Sequence, residues 1–419
     1  MALQLLEEAQ KCLQCKKPLC QEGCPVHTDI PHAIALLRQK QLEEAGRLLF
    51  DNNPLSLVCA IVCDHEQQCT GHCILNRKGN PVHFGQLIES YISDEWLDSG
   101  TIPCEPRKGV STAVIGGGPA GMTAAILLYQ AGFNVTLFEE RDDIGGIPRY
   151  AIPPFRLSRR VMERYRDKLL KLGIKIRTNV VIGGSLEIAD LVRDGYAAVF
   201  IATGVWRAKA LGIRGESLAN VHYGLDYLAH PDSYRLGERV AIIGMGNAAM
   251  DVARTALRGG CRHVTLYGRQ HSSMKSAAQE CILARLEGAE FVFGRYIHEI
   301  NEKGPVFQVA KVNENDEITG YETELEQVEA DSTIISISNG PKNKLVLTTK
   351  GLQSNQGGLL ITDENGQTTI PGVFAAGDVV TGAKTVVHAV AAAKTAAAAM
   401  IRYLSDPNRT PLTEQYLRR

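Results

Sequence analysis

Eight cysteines crowd the segment between Cys12 and Cys73 of a 419-residue chain, and they fall into two quartets. The first reads Cys12-x2-Cys15-x4-Cys20-x3-Cys24-Pro25, the second Cys59-x3-Cys63-x5-Cys69-x3-Cys73. Structural zinc sites pair their thiolates at short spacings, each pair two to four residues apart, and neither quartet divides that way convincingly. Closely spaced thiolates closing on a Cys-Pro are instead a common script for cubane iron–sulfur sites, where the fourth cysteine of a run serves the other cluster. The spacing predicts two [4Fe–4S] clusters that exchange ligands between the quartets, with zinc as the alternative. A disulfide framework does not fit, because beyond Cys104 only Cys261 and Cys281 remain, in sequence of intracellular α/β character.

A different chemistry begins at Thr112, where TAVIGGGPAGMTAAILLYQAGFNVTLFEE reads as strand, glycine turn, helix and a second strand ending in acid. In Gly116-x-Gly118-x-x-Gly121 the first glycine permits the tight turn and the second lets backbone approach a pyrophosphate. The third lets the helix pack on the strand, with the helix amino terminus facing the anion. Glu139, eighteen residues past Gly121, stands where a carboxylate accepts ribose hydroxyls. The same frame recurs from Arg239 as Gly244-x-Gly246-x-x-Ala249, so two dinucleotides are expected. At the offset of Glu139 this second unit has Tyr267, then Gly268 and Arg269. An arginine suits a 2′-phosphate, which points to NADP(H) over NAD(H), although a solvated strand-end cation would look the same. Near the carboxyl end, Pro371-Gly-Val-Phe-Ala-Ala-Gly377-Asp378 precedes a small-residue helix starting near Thr385. A carboxylate before a closely packed helix, with the helix dipole aimed at the ligand, fits a flavin.

The elements that must position these groups follow from periodicity. Ile34, Leu36, Leu37, Leu42, Ala45, Leu48 and Leu49 follow a helical repeat, and Pro54 before LSLVCAIVC opens another helix with Cys59 and Cys63 on one face. The amino-terminal domain is therefore expected to be small, helical and dependent on its clusters, since a core of that size is marginal alone. Thr101 to Lys108 form its exit linker. With 45 basic and 46 acidic side chains, the formal charge of −1 gives no field favouring nucleic acid or an anionic membrane. No run approaches the roughly 18 apolar residues of a membrane span. The first twelve residues, with Glu7 and Glu8, do not read as a secretory leader, so a soluble cytoplasmic protein is expected.

The quartets, VIGGGPAG, IGGIPRYAIPPFRL (144–157), IATG (201–204), IIGMGNAAMD (242–251) and PGVFAAGDVVTGAKTVV (371–387) together resemble the small subunit of bacterial glutamate synthase. The amino-terminal half of dihydropyrimidine dehydrogenase and the large subunit of ferredoxin-dependent transhydrogenase are relatives. The resemblance covers essentially the whole chain. It implies an α/β fold with a helical iron–sulfur domain over 1–108, an FAD domain in two parts over 109–220 and 339–419, and an NAD(P)H domain over 221–338 inserted in it. At the nucleotide sites it implies Gly116, Gly118, Pro119, Ala120, Gly121, Glu139, Gly145, Gly146, Arg156, Thr203, Gly204, Gly377, Asp378, Thr385 and Val386. For the second fingerprint it implies Gly244, Gly246, Asn247, Ala248 and Arg269. One cluster would take Cys12, Cys15, Cys20 and Cys73, the other Cys24, Cys63, Cys69 and a fourth ligand. Relatives use a Glu or Gln there. Here an ungapped alignment of Gly85-Gln86-Leu87-Ile88-Glu89 puts Ile88 at that position, so either Glu89 reaches in after a one-residue shift or Cys59 takes the role. After Arg269, Met274 and Glu280 match, while Lys275 stands where relatives often have proline.

The chemistry implied is hydride transfer from NAD(P)H to FAD, then single-electron steps through the clusters to another protein, with the cofactors carrying the reaction. Every segment is consumed by clusters, FAD or nicotinamide. The acceptor is therefore expected to be a separate polypeptide, a glutamate synthase large subunit or a dihydropyrimidine dehydrogenase catalytic subunit. A stand-alone reductase of a small molecule or disulfide is the alternative, but Cys261 and Cys281 lie twenty apart and Cys12-x2-Cys15 belongs to a quartet. A redox sensor or scaffold with structurally bound nucleotide is a third reading. His388 and Lys384 read as packing or surface residues, His65, His72 and His83 as bystanders of the clusters, and Cys104, Cys261 and Cys281 as inert.

Overall fold

Helices come first. In the computed structural model, which describes residues 2–274, 276–313, 315 and 317–412, the amino-terminal region is built from Ala2–Gln10, Ile30–Arg38, Leu42–Asn52, Ser56–Val62 and Ser90–Ser99. Lys275 lies outside the described residues. Asp29 caps Ile30–Arg38 by accepting the His32 N–H at 3.3 Å, and Pro31 occupies the first turn, where no amide donor is required. Glu43 and Glu44 sit in the first turn of Leu42–Asn52, against the positive end of its dipole. The apolar repeat read from the sequence faces inward: Ile34, Leu49, Phe84, Ile88 and Ile92 share one buried core.

Ser90–Ser99 is preceded by a π-helical turn, Phe84–Glu89. A π turn holds one residue more than an α turn, so every side chain beyond it is advanced by one position around the axis. Ile88 is fully buried in the helical core, and Glu89 is turned elsewhere.

A five-stranded parallel sheet follows, in the order Val373–Ala375, Ala198–Ile201, Ser111–Ile115, Asn134–Phe138, Lys175–Arg177. Thr112–Ile115 and Ala198–Ile201 are buried without alternation, the signature of parallel strands covered on both faces. Val199, Ile201, Ile115, Phe138 and Val373 form the core. Pro119–Gln130 leaves the first strand through the glycine turn, and the closing helix Val386–Ser405 packs along it.

Among the described residues, 2–149, 154–205 and 340–412 make one compact unit, and 150–153 with those of 206–339 make another. The second repeats the plan with a parallel sheet ordered Val221–Tyr223, Ser332–Ile335, Arg239–Ile243, His263–Tyr267, Glu290–Val292. An antiparallel three-stranded sheet, Arg295–Asn301, Gly304–Val312 and Ile318–Gln327, fills the crossover before Ser332. Stacking of Phe307 on Tyr267 at 4.6 Å seats it on the parallel sheet. Among the described residues no helix is long and apolar enough to cross a membrane.

Candidate functional site

Two cavities in the helical region sort the cysteines. Cys12, Cys15, Cys20 and Cys73 line one of about 90 Å³, with Leu13, Ile34 and Phe84 between them and Cys69 also on its wall. Cys24, Cys59, Cys63, Cys69 and Glu89 line a tighter one of about 20 Å³. Each cavity thus draws thiols from both quartets. Among the described residues no three His, Cys, Asp or Glu side chains meet as a single-ion site; the thiols surround spaces instead. Burial pushes the Cys20 and Cys69 thiols up to about 12 each, and a hydrogen bond to the free Cys59 thiol together with burial pushes Cys63 well above its ordinary value. Such thiols ionise only when a cationic centre compensates the burial, which is the chemistry of an iron–sulfur donor set.

Glu89, at the end of the π turn, and Cys59, the two candidates for the fourth ligand, both line the tighter cavity. Burial alone holds the Glu89 carboxyl up at about 8. Residues the sequence reading passed over also face this cavity: Thr28, Asn53 and Val387, and His65, treated above as a bystander. His65 is buried, and its Nε2 has no hydrogen-bond partner among the described residues. A buried ring nitrogen left this way fits a wall against which a polar or charged group sits. Only His65 carried a recognisable signal, as a ligand-type residue two positions past Cys63.

The first glycine turn is built for close backbone approach. Gly116 has φ +102°, and a Cβ there would stand 2.4 Å from the Ala202 carbonyl oxygen, beside Thr203. A Cβ on Gly121 would stand 1.8 Å from the Gly116 carbonyl oxygen. Gly118 meets nothing nearer than the Gly146 Cα at 3.8 Å, so that side of the turn is open to a ligand. Glu139 is buried and accepts the Gly117 N–H at 2.7 Å and the Arg141 N–H at 2.9 Å. Gly145 donates its N–H to Gly117 O at 2.8 Å, and Asp143 anchors the same loop through Arg149 and Arg166, each at 2.9 Å. Pro119 and Ala120 open the helix, Gly204 has φ +68°, and Arg156 is half-buried.

Gly377, at φ +79°, would carry a Cβ 2.9 Å from that of Ala120, so the end of the last strand meets the start of the first fingerprint helix. Burial lifts the Asp378 carboxyl to about 6 against the opposing pull of the Lys384 N–H, which it accepts at 3.2 Å. Thr385 is the N-cap of Val386–Ser405 and its Oγ1 lies 2.7 Å from His388 Nδ1. Gly377 and the first fingerprint helix, both expected at a flavin, therefore meet.

In the second unit Gly244 has φ +138°, and a Cβ there would meet Ser336 O at 2.2 Å, while one on Gly246 would meet nothing within 4 Å. Asn247 and Ala248 are exposed at the head of Asn247–Arg258, and Asn247 Oδ1 accepts the Ala277 N–H at 2.8 Å. The buried Arg254 holds Glu280 and Glu287, each at 2.9 Å, tying the following helix to this one. Arg269 is exposed just beyond His263–Tyr267, and among the described residues no carboxylate pairs with it. Cys281 is engaged with Ser276 Oγ at 2.8 Å and Met274 Sδ at 3.3 Å, and Cys104 with the carbonyls of Glu105 and Tyr129.

Residues 110–393 match the pyridine nucleotide-disulphide oxidoreductase family and residues 2–101 match dihydropyrimidine dehydrogenase domain II, 4Fe-4S cluster. The chain is 32% identical to the glutamate synthase [NADPH] small chain of Escherichia coli over 95% of its own length and 91% of that protein. It is 29% identical to the NAD-dependent dihydropyrimidine dehydrogenase subunit PreT of Salmonella typhimurium, over 96% and 94%. Among solved structures, FprA of Mycobacterium tuberculosis in complex with NADPH superposes with a TM-score of 0.57 at 18% identity, covering 71% of this chain and 85% of that one. Thioredoxin reductase of T. acidophilum does so at 0.56 and 21%, covering 70% and 98%. These two likenesses establish the fold. Glycine cradles, a carboxylate at each expected flavin contact and thiol-lined cavities all fit the cofactors of the matched families, which are FAD, NAD(P) and 4Fe–4S iron–sulfur. The chain belongs to the glutamate synthase small-chain family of FAD-dependent NAD(P)H oxidoreductases with a 4Fe–4S domain.

Proposed function

We propose that the chain oxidises NADPH and delivers the electrons singly, by way of two 4Fe–4S clusters, to a separate catalytic polypeptide of the glutamate synthase type. Val387 carries the reading. It lines the cavity of Cys24, Cys63, Cys69 and Glu89, and it sits in the first turn of the helix whose approach, Gly377–Asp378, abuts the first fingerprint. One turn of one helix thus borders both the flavin residues and a thiol cavity.

In this reading Cys12, Cys15, Cys20 and Cys73 hold one cluster, and Cys24, Cys63, Cys69 and Glu89 hold the other. Glu89 is preferred to Cys59 because a fully buried carboxylate needs a cation beside it. When bound, FAD supplies a hydride acceptor that can release single electrons, and the clusters supply one-electron carriers. Gly116 and Gly118 bring backbone to the pyrophosphate, Glu139 takes the adenosine ribose, and Asp378 the ribityl side. The amino terminus of Val386–Ser405 would offer a bound flavin partial positive charge, a contribution of roughly 0.3–1 kcal/mol where the reduced ring lies against it. Gly244, Gly246, Asn247 and Ala248 receive the nicotinamide nucleotide, and Arg269 its 2′-phosphate. No side chain of the protein needs to act as nucleophile or general acid.

The relatives' names as a small chain and a subunit support a separate acceptor, a glutamate synthase large subunit first and a dihydropyrimidine dehydrogenase catalytic subunit second. A disulfide-reductase role finds little support, since Cys281 is engaged with Ser276 and Met274. Anaerobic titration with NADPH is expected to bleach the flavin and then bring up iron–sulfur signals in electron paramagnetic resonance. A preparation carrying FAD and iron that neither nucleotide can bleach overturns the proposal. Arg269→Ala is expected to raise KM for NADPH tenfold or more, the loss of about 1.5–3 kcal/mol in charge-assisted bonds, and to leave KM for NADH nearly unchanged. Equal effects on both nucleotides in steady-state kinetics would remove Arg269 from the phosphate site.

A further inference from the structure

Lys394 lies on the closing helix, two turns beyond Val387, and its ammonium crosses to the carboxyl end of Leu42–Asn52. There Nζ donates to Asn52 O at 2.5 Å and to Asn52 Oδ1 at 2.9 Å. The Asn52 amide nitrogen then reaches Thr28 Oγ1 at 3.1 Å, and Thr28 Oγ1 lies 3.4 Å from Cys24 Sγ. Thr28 is buried and lines the same cavity as Cys24.

The direction of this chain is fixed by its first member. A lysine ammonium only donates, so the side of the Asn52 amide facing it must be the oxygen, and the side facing Thr28 must be the nitrogen. The Thr28 oxygen is thereby an acceptor toward Asn52, and its own proton is left for the Cys24 sulfur. Every link donates toward the thiolate. Capping of the last helical carbonyls would explain the bond to Asn52 O, but neither the second bond to Oδ1 nor the continuation through Thr28. Burial pulls the Lys394 ammonium down while the Cys24 charge acts to raise it, so the cation and the sulfur sense one another.

The geometry points to Lys394, Asn52 and Thr28 as a positioning relay that sets the reduction potential of the cluster held by Cys24, raising it by directing a cation and a donated proton at that sulfur. This rests on the assignment of Cys24 to a cluster under Proposed function. An electron arriving at the cluster adds negative charge that spreads onto its ligand sulfurs. Donors and cations near those sulfurs stabilise the reduced form. Because Lys394 belongs to the helix that borders the flavin residues, the same element that starts the electron's path also biases where it first rests.

The test is a potentiometric titration of anaerobically purified full-length protein, followed by electron paramagnetic resonance, with iron and sulfide assayed in each sample. Lys394→Met and Thr28→Val are each expected to lower the reduced-to-oxidised ratio of one cluster about tenfold at fixed ambient potential, a midpoint shift of about 59 mV for a one-electron couple. Thr28→Ser, which keeps the hydroxyl, is expected to retain the wild-type midpoint, and the other cluster should not move in any variant. Should Lys394→Met fail to fold, the Thr28→Val and Thr28→Ser pair decides alone. Full iron with both midpoints unmoved, or both shifted equally, overturns the relay and leaves the electron-transfer reading standing. Wild-type protein without iron–sulfur signals on reduction overturns that reading and the relay with it.

Discussion

Gly121→Val is expected to yield a chain that emerges without flavin and with a lowered unfolding midpoint. The added Cβ would stand 1.8 Å from the Gly116 carbonyl oxygen and 3.3 Å from Val114 Cγ1, so the helix must back away from the strand. The neighbour is backbone, not the free end of a side chain, and cannot swing clear. Overpacking of this kind costs about 1–3 kcal/mol, and displacement of the helix takes the pyrophosphate-facing amides with it. Flavin released on denaturation, measured by fluorescence per mole of protein, gives the first readout and thermal unfolding the second. Gly246→Ala supplies the contrast in the other fingerprint. Its Cβ would meet nothing within 4 Å, so stability should hold while nucleotide affinity falls, because the methyl projects where the backbone must be approached. A Gly121→Val protein with full flavin and an unchanged melting curve would falsify the close-packing account of the turn.

Cys73→Ala is expected to remove about half of the bound iron and to leave the helical region prone to proteolysis, since cluster binding energy is folding energy in a core of this size. Cys73 shares its cavity with Cys12, Cys15 and Cys20, more than fifty residues earlier, and so closes that cage from the second quartet. Cys261→Ala, in the other unit, is the control and should keep all its iron. Iron and sulfide assays on anaerobic preparations separate the outcomes. Full iron in Cys73→Ala means the quartets do not exchange ligands.

Much of this was legible in one dimension because the chemistry is local. Gly116, Gly118 and Gly121 must lie within one turn to meet a pyrophosphate, and Glu139 must close the next strand, so the fingerprint survives as spacing. Thiol quartets write themselves similarly. That Gly377 and the first fingerprint share one FAD domain came from the family resemblance, and a Cβ on Gly377 would stand 2.9 Å from that of Ala120. What spacing could not carry is contact between distant segments. Lys394 and Asn52 are separated by 342 positions, and each looks like a solvated helix residue in its own sequence window. The π turn at Phe84–Glu89 was visible only as a misfit, an isoleucine where a ligand was wanted, because one surplus residue in a turn leaves no periodic trace. The antiparallel sheet of 295–327 is not among the expectations: its outer strands are largely half-exposed or exposed, and what seats it, the stacking of Phe307 on Tyr267, joins residues forty apart.

The strand Val373–Ala375 enters the first sheet beside Ala198–Ile201, some 170 positions after its neighbour was made. On a ribosome this imposes a timetable. All five thiols of the larger cavity have left the exit tunnel long before that edge can form, so scaffold proteins can deliver iron and sulfide to a nascent chain whose vitamin-derived cofactor still has no complete pocket. A translation arrest downstream of the quartets would therefore accumulate brown, flavin-free fragments, and riboflavin starvation should leave metal incorporation into the larger cavity intact.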